Sequence, residues 1–222
     1  PLLTVPSGNA ALIIRDYHDV ESLTPQEQRL AELLAAEGFE VTYVTQYMRT
    51  FTDYSQASLV AAASYTGQTS RNFLDSLLNQ GLRLLLIYEA GRALGGDWAK
   101  STTSSYRELM VTDDEAFLRD YKAGERFTAQ AEGAAWRVKG IEGWIPIARN
   151  AYRSDYYTAL YREVETGLGA ILSYDPVYYT DEGKEVFGKA VGWLRKEIEA
   201  HARADRTACR LVEVTLDASA SW

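Results

Sequence analysis

Thiols and imidazoles are nearly absent from this chain. Its 222 residues include one cysteine, Cys209, and two histidines, His18 and His201. A lone cysteine excludes an internal disulfide and a multi-thiolate metal site, and two histidines leave few nitrogen ligands for zinc. No metal is therefore expected. Long apolar runs are missing too: the longest, Leu82 to Tyr88, is interrupted by Arg83 and falls far short of the about 20 residues that cross a bilayer. Lys and Arg number 23 against 31 Asp and Glu, a net charge of −8, and no basic run overrides that balance locally. Neither a nucleic-acid partner nor membrane insertion is expected. The segment after the first apolar run, RDYHDVESLTP, has no G-x-G-x-x-G pattern, which disfavours dinucleotide binding, and no cofactor is expected.

What is present is an ordinary globular composition, 46% hydrophobic and 24% charged, long enough for one large domain. Fifteen Tyr and five Trp against two Met lean toward an exported or cell-surface protein. The chain opens at Pro1 and not at a methionine, as a processed product or a piece of a longer polypeptide would.

The apolar run AALIIR, Ala10 to Arg15, reads as a buried strand. A helix follows with strong punctuation: Thr24 as N-cap, Pro25 at the first helical position, Glu27 completing a capping box, Leu30, Leu33 and Leu34 on one face, and Gly38 as the stop. FEVTYV, Phe39 to Val44, is a second strand and completes a βαβ unit. Ala57 to Tyr65 is a third, and Phe73, Leu74, Leu77 and Leu78 form the stripe of a second helix. LRLLLIY, Leu82 to Tyr88, is a fourth strand, continuously apolar as a central position requires.

Strands and helices alternating at this spacing predict an α/β fold. Its central, mostly parallel sheet is flanked by helices, and the β segments between Ser105 and Glu165 are appended as antiparallel hairpins. GLGAILSYDP supplies a further strand, Ala170 to Tyr174, and Thr180 caps a long helix. The domain is placed at 8–204. Residues 205–222, which include the β-prone CRLVEVTLD, form a tail or the start of a further strand or domain.

This order resembles the class I glutamine amidotransferase-like superfamily. Members that are enzymes carry a Gly-X-Cys-X-Gly elbow after a central strand and a His-Pro-Glu at the end of a later one. Matched residue by residue, IYEAG puts Ile87 at the first glycine, Glu89 at the nucleophile and Gly91 at the closing glycine. SYDPV puts Asp175 at the histidine, Pro176 at the proline and Val177 at the glutamate. All three catalytic residue types are absent, and thioester chemistry needs a polarizable nucleophile with an activating base, so the resemblance implies a domain without glutaminase activity.

The resemblance brings Glu89 and Asp175 together at the carboxyl edge of the sheet, where ligands of such folds bind. Paired carboxylates can serve as general acid and base, with His18 as a further candidate. Against this, Glu89 can be a helix first-turn residue and Asp175 an ordinary turn residue before proline. Asp16, Tyr17, Tyr65, Tyr88, Arg92 and Tyr174 share that edge, an aromatic and charged mixture suited to a small polar ligand such as a carbohydrate. The leading expectation is a binding or structural module within a larger protein or a homo-oligomer. A carboxylate-based, glycosidase-like hydrolase using Glu89 with Asp175 or His18 is the main alternative, and a self-association domain is a third.

Overall fold

A computed structural model of the chain describes residues 9–17, 21–113 and 115–195. His18, His201, Cys209 and the expected tail at 205–222 lie outside them.

The strands are β1 (Ala10–Ile14), β2 (Glu40–Val44), β3 (Leu59–Ala62), β4 (Arg83–Ile87), β5 (Trp98–Ser101), β6 (Glu108–Val111), β7 (Arg126–Thr128), β8 (Ala135–Val138), β9 (Ile145–Asn150), β10 (Arg153–Glu163) and β11 (Leu168–Leu172). Helix α1 spans Pro25–Ala36, α2 spans Arg71–Asn79, and α3 occupies 181–195 of the described residues. Among the described residues, eleven strands form one sheet of order β2-β1-β3-β4-β11-β10-β9-β6-β7, with β8 pairing β10 and carrying β5. The first five run parallel, and from β10 onward the pairing is antiparallel. Strand β11 therefore inserts between β4 and the antiparallel strands.

Every residue of β1, β3, β4 and β11 is buried, because helices cover both faces of this part of the sheet. Ala11, Ile13, Leu85 and Ile87 pack with Leu30 and Leu34 of α1 and with Phe187 and Val191 of α3. Leu12, Ile14, Leu84 and Leu86 pack on the other side with Leu74, Leu77 and Leu78 of α2. Each fully buried Leu or Ile contributes on the order of 1.5–3 kcal/mol. The capping box forms as the sequence predicts: Thr24 Oγ1 accepts from the Glu27 N–H at 3.2 Å and Glu27 Oε2 from the Thr24 N–H at 2.9 Å. Among the described residues no helix is long and apolar enough to cross a membrane.

Three elements differ from expectation, the first being β3, which spans Leu59–Ala62 and not 57–65. Strand β5 has no alternating pattern in sequence and exists through its pairing with β8, Lys100 opposite Trp136. Strand β11 runs 168–172 and not 170–174, because the Asp175 carboxylate accepts from the Val177 N–H at 3.0 Å and turns the chain into a 3₁₀ turn at Pro176–Tyr178.

Candidate functional site

From β1 the chain crosses to β2 on one side and later to β3 on the other, so a crevice opens above the carboxyl ends of β1 and β3. Asp16 and Tyr17 follow β1, Ser64 and Tyr65 follow β3, Tyr88 and Glu89 follow β4, and Asp175 follows β11. The antiparallel pairing of β5 with β8, which the sequence does not reveal, adds Trp98, Lys100 and Trp136.

The turn after β4 is a 3₁₀ helix, Tyr88–Leu94, entered through a residue in the left-handed region: Tyr88 has φ 55°. For a non-glycine this costs on the order of 1–3 kcal/mol and persists only where packing enforces it. Here the Tyr88 ring is buried edge-on against Trp136, centroids 6.4 Å apart, with the Lys100 ammonium 5.6 Å from its centre. The residue at positive φ is Tyr88, and the next residue, Glu89, is the one that the sequence match places at the nucleophile position. The match was set by Gly91, and Gly91 is glycine for another reason: a Cβ there would lie 2.7 Å from the Trp98 ring.

Glu89 is half-buried, and burial pushes its carboxyl above the ordinary range. The Tyr65 main chain, Lys100 and Arg92 oppose that shift, and the Asp175 charge adds slightly to it. Asp175 is also raised, by burial first, against a hydrogen bond from Gln26 Nε2 at 3.0 Å and the Val177 N–H. The Asp175 charge acts on Glu89, so both carboxylates stand at the carboxyl edge of the sheet within electrostatic reach of each other.

Tyr174, Asp16 and Tyr17 each engage other groups of the fold. Tyr174 is 2% exposed and packs in the core, so its ring does not line a cleft. Burial raises its phenol far above the ordinary value. Asp16 accepts from Arg49 at 2.7 Å, from the Thr66 N–H at 2.8 Å, from the Gln68 N–H at 3.3 Å and from Thr69 Oγ1. Burial alone would raise it, but the hydrogen bonds from Thr69, Arg49 and Thr66 prevail and hold it below the usual range. Its hydrogen-bonding capacity is spent on clamping the loops that follow β2 and β3. Tyr17 lies under the Arg15 guanidinium, 5.4 Å from ring centre to Cζ.

Tyr65 and Arg92 do meet. With Gly96, Asp97, Trp98 and Trp136 they line a cleft of about 460 Å³. Lys100 and Trp136 were not legible as site residues, since nothing short of the β5–β8 register brings them together. A second groove of about 460 Å³ along α3, lined by Phe117, Trp193 and charged residues, holds none of the candidates. Among the described residues no cluster of three His, Cys, Asp or Glu could hold a metal.

The raised Glu89 carries a testable sign. A raised folded-state pKa favours folding fully only below the unfolded value, and the benefit is lost as pH rises through the folded value; near neutrality the ionised carboxylate costs stability. Glu89→Gln should therefore melt higher than the parent at neutral pH, with the gain vanishing below about pH 4. A gain that persists in acid would assign it to packing instead.

No protein-family model matches the chain, and no curated protein matches its sequence. Solved structures do. A protein described as ThuA-like from Bacteroides uniformis aligns over 87% of this chain and 94% of its own, at 11% identity and TM-score 0.56. A β-galactosidase from Rahnella aligns over 88% of this chain at 14% identity and TM-score 0.56, and a carbohydrate deacetylase, Agd3, over 85% at 16% and 0.54. This chain spans 32% of each of the last two. The likeness is one of fold, the class I glutamine amidotransferase-like α/β fold, which also occurs as a domain within larger polypeptides.

Proposed function

We propose that this amidotransferase-like domain is a non-catalytic binding module for carbohydrate or a similar ring-shaped polar ligand, working within a larger protein. The observation that carries the reading is the cleft at the carboxyl edge, walled by Tyr65, Trp98 and Trp136 and edged by Arg92 and Asp97. Aromatic faces stack on the apolar faces of sugar rings while the charged rim takes hydroxyl hydrogen bonds. The structures of similar fold that belong to a β-galactosidase and a carbohydrate deacetylase support that ligand class.

The raised Glu89 and Asp175 favour a second reading, a carboxylate hydrolase. An acid and a base need environments that push their pKa values apart. Here burial pushes both the same way, which ranks binding first.

Titration of the protein with a panel of soluble oligosaccharides, followed by tryptophan fluorescence and calorimetry, tests the reading. Binding of at least one glycan is expected, with Trp136→Ala weakening it by about 1–3 kcal/mol, the scale of a lost aromatic stack. Release of reducing sugar that Glu89→Gln abolishes would favour the hydrolase, and no binding by any glycan would remove the proposal.

A further inference from the structure

Within the cleft, Arg92 is held in an unusual state. Its guanidinium lies 5.2 Å from the Tyr65 ring centre and 4.6 Å from that of Trp136. Its one ion-pair partner among the described residues, Glu89, stands at 3.6 Å, too long for a hydrogen bond, and the Arg92 side chain is 36% exposed. A planar fork fixed against aromatic rings, with its N–H edge open, is pre-organised for bidentate capture of a carboxylate. Asp97 is the other charged residue that lines the cleft. Asp97 is paired with Lys139 at 2.9 Å. Lys100, 5.3 Å from the Trp136 ring centre and without an ion pair among the described residues, adds a second cation beside the same ring. Arg92 and Lys100 thus stand as two cations around one indole, with Glu89 as the carboxylate beside Arg92.

We infer that the ligand of this cleft is an acidic saccharide, a uronate whose carboxylate docks on the Arg92 fork with its ring against Trp136 and Tyr65. This rests on the saccharide-binding reading above and narrows it. Charge complementarity of this kind makes affinity fall as salt rises.

Calorimetric titration of the protein with digalacturonic acid, its neutral methyl ester and glutarate, a carboxylate without a sugar ring, tests the inference. The acid should bind, the ester and glutarate at least about tenfold more weakly, a difference of about 1.4 kcal/mol. Arg92→Lys, which keeps the charge and loses the fork, should lose most of the preference. Equal affinity for acid and ester overturns the carboxylate assignment and leaves the saccharide reading standing. Glutarate binding as tightly as the acid overturns the saccharide part. Failure of all three probes and of the oligosaccharide panel removes both. The acid–ester comparison uses the unaltered protein and decides the matter even where the variant does not fold.

Discussion

Glu27→Ala is expected to destabilise the domain by about 3–5 kcal/mol, the cost of removing one member of a buried ion pair. Glu27 and Arg15 are both 0% exposed and 3.1 Å apart. The same carboxylate accepts from Ser64 Oγ at 2.6 Å and from the Thr24 N–H at 2.9 Å. One side chain thus joins the end of β1, the end of β3 and the start of α1, the three elements that meet at the crevice. For a domain of this size the loss corresponds to a fall in Tm of roughly 10 °C. Thermal unfolding followed by circular dichroism measures it, and a fall of less than about 2 °C would show that this carboxylate is not the anchor.

The second large effect is Gly167→Ala. A Cβ at Gly167 would lie 2.0 Å from the carbonyl oxygen of Leu78, on the last turn of α2. The obstacle is backbone and cannot swing aside, so α2 or the β10–β11 turn must shift, at about 3 kcal/mol or more. Gly169, two residues on, meets the Trp144 ring, a Cβ there falling 2.6 Å from Cη2. Urea unfolding should show a lower midpoint with an unchanged slope. An unchanged midpoint would mean that the helix and the turn are not packed this closely.

These glycines bear on how much was legible beforehand. In sequence, ETGLGA reads as a hairpin turn with no cofactor role, and the turn is there between β10 and β11. What the pattern does not contain is the reason for each glycine, a close approach to α2 and to Trp144. Gly91 is the instructive case. As a letter it fits the closing glycine of an elbow, yet it is required by the Trp98 ring, and the backbone strain falls on Tyr88. Composition within a motif records that a small residue is needed, not which neighbour needs it.

The chain's local chemistry by itself determined the α/β alternation, the capped start of α1, the continuously apolar central strands and the absence of a thiol–imidazole pair from the motif positions. Each depends on residues a few positions apart, where propensity and periodicity act directly. The tertiary structure alone decided which tyrosines serve the cleft and which the core. Tyr65 faces Arg92 while Tyr174 is sealed among core residues, and no sequence neighbour distinguishes them. It also decided that Asp16 is consumed as a loop clamp and that Lys100 and Trp136, far apart in the chain, lie opposite each other on paired strands. Those outcomes follow from long-range strand register and burial, whose free energy depends on contacts between distant segments that local sequence does not encode.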